Sequence, residues 1–510
     1  MQRHFWELQR RMQVYHFYSE DLAQKSVGEL LALLEAGNLS SEELVWAYAE
    51  RIAALDQAEG GPQLHAVREL NPDAFRIARE RDWERRTGKI RGSLHGIPIL
   101  LKDTIDTGDM THTTCGSMSM RDHRALEDAF IVRRLREAGA IILGKNYCSE
   151  FCGYSSLDAP NGYSSLLNGS PRNPFGPGRL KPGGSSGGSA ISVAADMTAA
   201  SIGTDTAGSI FEPAYLNGVV GYKPTVGLTS RSGILPVAMC QDAAGPITRT
   251  VEDAARIADV MIGRDETDPD TIRAEAFAEG SFLDGLEDES LNGKRIGIVK
   301  EGYYPSMSGT ARLLTEQAMD RLRLAGARIV EVEGFLPARI LAAPNQHPER
   351  LSNEVMDRAF KVRFDYYLAS QKDLPFSCLE ELLSWNRQHP ENIPIGQSYL
   401  ELVAGYGDQA MMAPGFTAAR MNDLDICGTR GIWGTMDHYR LDALVLPGLE
   451  AQGIAATAGN PTITIPAGYM KETGPVGITL VGDLMGDREL LRIARACEKV
   501  LPARPVPELQ

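Results

Sequence analysis

The chain has 510 residues, 43% of them apolar and 23% charged, with a formal net charge of −15. That acidic balance argues against nucleic acid or an anionic membrane as partner, since both are held by clustered Lys and Arg that displace counterions. Apolar runs break well short of the ~18 residues of a membrane span, and seven scattered cysteines, an odd number, read as reduced thiols rather than a disulfide framework.

Residues 1–25 read as an N-terminal arm, and residues 26–510 as a single domain. In the arm, Phe5, Trp6, Leu8, Met12 and Tyr15 fall partly on one face, which fits packing on the body or on a second subunit. Charges in every turn replace the apolar segment of a signal peptide, so a cytoplasmic protein is expected, monomer or homodimer.

Ser26-Val-Gly-Glu29 opens a helix that stops at Gly37, and Ser40-Ser-Glu-Glu43 opens another running to about Leu55; both starts have capping-box spacing. Ala66 to Leu70 reads as a short strand and Asp73 to Arg85 as a helix. Gly96-Ile-Pro-Ile-Leu-Leu101 is an apolar strand that delivers Lys102 and Asp103 at its end. A lysine there is informative, because lysine is rarely interior unless paired or functional. A helix over Asp128 to Gly139 and a strand over Ala140 to Leu143 continue a β/α alternation, as in an α/β fold built largely on a parallel sheet. Cys148 and Cys152 stand four apart on an expected helix face, but no matching His or Cys pair accompanies them, so no metal site is expected.

Residues 153–180, rich in Gly, Asn, Ser and Pro, predict a long loop of the kind that borders sites. Ser189 to Ala200 reads as helix, Val219 to Lys223 as strand, and Thr250 to Ile262 as helix. Arg264 to Ser290 is acidic and weakly patterned, a surface connection before the strand Lys294 to Val299. Residues 303–440 are mostly helical with aromatic clusters; strands at Leu444 to Leu446, Thr462 to Pro466 and Gly477 to Val481 and a helix over Asp487 to Val500 follow.

Two loops stand apart, Lys181-Pro-Gly-Gly-Ser-Ser-Gly-Gly-Ser189 and Gly203-Thr-Asp-Thr-Ala-Gly-Ser209. Glycine at this density implies special backbone geometry. A flexible linker does not fit, because apolar elements press on both sides. A phosphate cradle would need G-x-x-x-x-G-K-[ST], and a Ser-His-Asp hydrolase would need an elbow or a histidine in triad context. Acyl transfer at an amide requires a nucleophile, a base and backbone N–H donors, which serine loops and an end-of-strand lysine can supply.

The chain resembles the amidase signature enzymes, and within them the bacterial peptide amidase branch. The resemblance rests on Leu94-His-Gly-Ile-Pro-Ile-Leu-Leu-Lys-Asp103, the two serine loops, Asn217-Gly-Val-Val-Gly-Tyr-Lys-Pro-Thr225, Gln241-Asp-Ala-Ala-Gly-Pro246 and Gly459-Asn-Pro-Thr-Ile-Thr-Ile-Pro466. It implies an α/β fold with a mixed central sheet flanked by helices on both sides, and an amidohydrolase that uses neither metal nor cofactor. Carried over by position, Ser209 is the nucleophile, Ser185, 24 residues earlier, is a serine held in a cis peptide, and Lys102 is the general base. The backbone N–H groups of Thr206, Ala207, Gly208 and Ser209 form the oxyanion hole, while Asp103, Ser186 and Asp205 support the loops. A base lysine must be neutral to accept a proton, and burial favours that form.

Substrate choice is assigned to Asn161, Gly162, Tyr163 and Gln241 and to the helical region 303–440. The substrate implied is a peptide C-terminal amide or another small amide. The alternatives are the glutamine-hydrolysing amidase subunit of a tRNA-dependent amidotransferase and an inactive binding protein on the same scaffold. Two departures from the family pattern stand out: Ala207 where glycine is frequent, and Phe211 where an arginine often pairs with the aspartate, so Asp205 must find other partners.

Overall fold

Ser26 and Ser40 each open a helix by reciprocal capping: the serine oxygen accepts the backbone N–H of Glu29 or Glu43, whose carboxylate accepts the serine N–H at 2.8 Å. The helices, Val27–Glu35 and Ser41–Ile52, bury Leu30, Leu34, Leu44, Val45 and Ile52 against one large apolar cluster. The computed structural model describes Ser19 and residues 22–342, 353–449 and 453–509. Phe5, Trp6, Leu8, Met12 and Tyr15 of the expected arm lie outside the described residues.

Among the described residues, eleven strands form one mixed sheet. In chain order they are β1 (Val67–Leu70), β2 (Pro98–Lys102), β3 (Ile141–Asn146), β4 (Ala200–Asp205), β5 (Val220–Lys223), β6 (Ala243–Thr248), β7 (Arg295–Val299), β8 (Arg328–Val332), β9 (Ala443–Val445), β10 (Thr462–Met470) and β11 (Gly474–Val481). Across the sheet they run β1-β3-β2-β4-β6-β5-β10-β11-β9-β7-β8. β2 lies parallel to β3 and β4, whereas β4, β6, β5, β10 and β11 pair antiparallel in succession. Because Leu101 aligns with Ile202, the ends of β2 and β4 deliver Lys102 and the Thr204–Asp205 pair to one edge of the sheet. A second apolar cluster joins β7, β10 and β11 to the helix Asp487–Val500, which turns Leu490, Leu491, Ile493, Ala494 and Cys497 inward at helical spacing.

The structure revises several expected elements. The helix expected over 189–200 is Gly187–Ala194, and Ala200 already belongs to β4; alanine pairs on both sides of Asp196 hide the boundary. β6 was not expected, because Gly245 and Pro246 are poor strand residues. Its pairing with β5 explains the glycine, since a Cβ there would lie 2.0 Å from Tyr222 O. The mostly helical stretch 303–440 contains β8, which pairs with β7. Residues 264–290 are more than a surface connection: Phe282 and Leu286 enter the core, and buried Asp268 pairs with Arg231. Among the described residues no helix is long and apolar enough to cross a membrane.

Candidate active site

All five residues of β2 are buried, so Lys102 ends the strand inside the protein. Its Nζ lies 2.6 Å from Ser185 Oγ and 2.7 Å from Thr204 Oγ1, with Thr204 O at 3.4 Å and Cys152 Sγ at 3.7 Å. The amine is therefore fixed between the first serine loop and the end of β4.

The first loop is held by its surroundings. The Gly184–Ser185 peptide bond is cis. Gly183 has φ +77°, and a Cβ there would meet Pro213 at 2.7 Å, so no other residue fits. Ser186 N donates to Ser209 O at 3.3 Å and Ser186 Oγ to Thr204 O at 3.1 Å, tying the two loops together. The buried Glu212 carboxylate accepts from Gly184 N at 3.3 Å and from Asn161 Nδ2 at 3.2 Å.

In the second loop, Asp205 accepts from Gly208 N at 2.8 Å and from Ile210 N at 2.7 Å, closing the turn that carries Ser209. These two backbone groups take the place of the arginine; Phe211 packs instead with Tyr215, Leu314 and Val476. Buried Lys223 shares a cavity of about 20 Å³ with Asp205; burial pushes its ammonium down to about 8, opposed by the aspartate's charge. Thr206 Oγ1 donates to Asp242 Oδ1 at 2.5 Å, whose carboxyl burial pushes up. Asp103 is fully buried, with Arg68 Nε 2.9 Å from Oδ2 in an ion pair lacking hydrogen-bond alignment, and with Thr114 as a donor.

Ser185 and Ser209 open on one cavity of about 280 Å³, which Thr206 and Ala207 also line. Two expected residues are placed elsewhere. Gly208 faces away, toward the small cavity beside Lys223, and its N–H is committed to Asp205, so it is not placed to meet an oxyanion. Gln241 does not line the cavity; its side-chain amide braces the loop through Thr206 O at 3.3 Å and Thr457 Oγ1 at 3.1 Å. Asn161, Gly162 and Tyr163 do line it. The region 303–440 adds Asn353, Met356 and Tyr399, while Phe364 and Trp385 belong to an aromatic core behind them.

The sequence carries the same relationship. A family model described as Amidase matches residues 43–367. A probable amidase of Arabidopsis thaliana is 34% identical over 96% of this chain and 92% of its own length. A glutamyl-tRNA(Gln) amidotransferase subunit of Halorhodospira halophila is 33% identical over 94% of this chain and 97% of its own. Among solved structures, the native peptide amidase of Stenotrophomonas maltophilia superposes with a TM-score of 0.87 at 38% identity, covering 96% of this chain and 99% of that one.

The chain belongs to the amidase family. This amidase is a hydrolase acting on amide C–N bonds, with the mixed sheet flanked by helices of its solved relatives.

Several residues that organise the amidase's site escaped the sequence reading. Thr204, inside the second motif, contacts Lys102, and Asp242, beside Gln241, holds the Thr206 side chain. Glu212 sits next to the conspicuous Phe211 and joins the first loop to Asn161. Their only sequence signal is position within or beside a motif. Glu150, whose backbone N–H donates to Tyr163 O, accepts from Ser165 Oγ at 2.8 Å, and burial pushes its carboxyl up to about 7. Among the described residues, the carboxylate trio Asp365, Glu380 and Asp408 is the one cluster with metal-ligand spacing, and the Lys361 ammonium contacts all three.

Proposed function

We propose that this amidase cleaves a neutral carboxamide, a peptide C-terminal amide or a small amide of similar shape, through an acyl-enzyme on Ser209. The observation that carries the reading is Lys102 Nζ at 2.6 Å from Ser185 Oγ, with Ser185 and Ser209 opening on the same cavity. Ser209 Oγ attacks the carboxamide carbon and passes its proton to Ser185 Oγ, as Ser185 passes its own to neutral Lys102. The backbone N–H groups of Thr206, Ala207 and Ser209, three residues that line the cavity, receive the developing oxyanion. Protons then return along the same path to the departing nitrogen, which leaves as ammonia. Water, deprotonated by the same pair, opens the Ser209 ester, releasing the carboxylic acid and restoring the free serine.

A second reading, glutamine hydrolysis within an amidotransferase, is suggested by the amidotransferase relatives. The wall of the cavity disfavours it: among the described residues no Asp, Glu, Lys, Arg or His lines it. Glutamine would bring an ammonium and a carboxylate into that space, and buried charges without partners are costly. Ammonia release from an N-acetylated amino-acid amide, set beside release from glutamine, separates the two; faster turnover of glutamine would overturn the first.

A further inference from the structure

The segment that leads into Ser185 lies along the helix Phe211–Asn217, which begins two residues after Ser209. Asn217 Nδ2 donates to Pro182 O at 2.8 Å, Gly183 lies so close to Pro213 that a Cβ would fall 2.7 Å from its Cα, and Gly184 N donates to Glu212 Oε2 at 3.3 Å. Three successive residues of the first serine loop are thus set by three residues of one helix. Glu212 reaches further than the other two. Its backbone N–H donates to Gly208 O at 2.8 Å, within the turn that carries Ser209, and its carboxylate also accepts from Asn161 Nδ2 at 3.2 Å. Asn161, Gly184, Ser185 and Ser209 all line the cavity, whereas Glu212, 7% exposed, does not.

A carboxylate only accepts hydrogen bonds, and a buried acceptor is costly to leave unmet, so both donors are held firmly. One side chain is therefore anchored through its own backbone to the Ser209 turn and through its carboxylate to the residue before Ser185. Passing a proton between two hydroxyls depends on their separation, and a misplacement of about 1 Å can cost on the order of 100-fold in rate.

We infer that Glu212 is a positioning residue for the proton relay, setting the separation between Ser185 and Ser209 and tying it to the Asn161 segment of the cavity wall. It acts through Gly184 and Asn161, and the bond-breaking step stays with the serine loops. The role rests on the proposed relay and adds to it a side chain from outside the serine motifs.

An amide and an ester of one acid, N-acetyl-L-leucinamide and the p-nitrophenyl ester of N-acetyl-L-leucine, test the inference with the full-length protein. The amide nitrogen leaves only when protonated, which the relay must supply, whereas p-nitrophenolate leaves as the anion. Glu212→Gln keeps the side-chain shape and turns one acceptor oxygen into an NH₂ group that faces a donor. Its kcat/KM is expected to fall about tenfold or more on the amide and less than about threefold on the ester. Asn161→Ala removes the far end of the tie without touching the helix after Ser209, so it serves even where Glu212→Gln does not fold. Its amide-to-ester ratio is expected to fall as well, and effects on binding the shared acyl part cancel in that ratio. Equal losses on the two substrates, or no loss on the amide, in either variant would overturn the positioning role and leave the serine relay standing. A Ser209→Ala variant with the wild-type rate, or a wild type that releases no ammonia from the amide, would overturn the relay and this role with it.

Discussion

Lys102 Nζ stands 2.7 Å from Thr204 Oγ1, joining the ends of two neighbouring parallel strands. Thr204 thereby sets where the lysine points, while Ser185 occupies its other side at 2.6 Å. Thr204→Val keeps the side-chain shape and removes the oxygen. It is expected to lower kcat roughly 10- to 100-fold with little change in KM, at most the lower end of the ~10²–10⁴-fold that general-base catalysis supplies, because the lysine itself remains. Thr204→Ser should restore most of the rate, and steady-state ammonia release checks both.

Ser209→Ala removes the proposed nucleophile from the cavity wall. Turnover is expected to fall by about 10³ or more, and Ser185→Ala by a similar factor, because residues that act as a unit are not additive. A wild-type rate in Ser209→Ala would remove the central claim. In the wild type, rapid quenching followed by intact mass measurement should detect the acyl adduct, absent from the alanine variant.

Asp205 holds the Ser209 turn through two backbone N–H groups, and Phe211 stands where an arginine would share the task. Asp205→Asn replaces one acceptor oxygen with an NH₂ group that faces a donor. The Ser209 loop should lose its geometry, and kcat is expected to drop about 100-fold, comparable to loss of an oxyanion donor. KM on the same amide should move far less.

Arg68 sits 2.9 Å from Asp103, which is fully buried directly after Lys102. Removing one partner of a buried ion pair leaves an uncompensated charge, so Arg68→Met is expected to cost about 3–5 kcal/mol. Pairing it with Asp103→Asn should recover much of that loss. Urea denaturation of the two single variants and the double variant measures the coupling.

Glu150 gives a stability prediction with a defined pH window, because burial raises its carboxyl from 4.5 to about 7. The folded state holds that proton more tightly than the unfolded one. Its contribution is therefore fully present below pH 4.5 and lost as pH rises through about 7. Glu150→Gln should match the wild type near pH 4.5 and exceed it at pH 8–9, by on the order of 1–3 kcal/mol. Denaturant midpoints at the two pH values decide it; a variant less stable at the higher pH would show that the carboxylate is stabilised there.

What could be read from the chain alone was whatever depends on near neighbours. Ser26 with Glu29 and Ser40 with Glu43 specify helix starts through contacts three residues apart. The apolar run before Lys102 marks a buried strand with a lysine at its end, and Asp487–Val500 declares its inner face by spacing. The motif order pointed to Lys102 and Ser185, which stand 2.6 Å apart, and to Ser209, which opens on the same cavity as Ser185. Tertiary structure decided the rest, because partner choice across dozens of residues depends on packing and on the direction of each N–H. The Gly208 N–H turns to Asp205, the Gln241 amide to Thr206 and Thr457, and the Glu212 carboxylate to both Gly184 and Asn161. No periodicity encodes those directions. Strand β6 is the same lesson in the backbone: its glycine and proline oppose a strand, and only the close approach of Tyr222 O makes Gly245 the residue that fits.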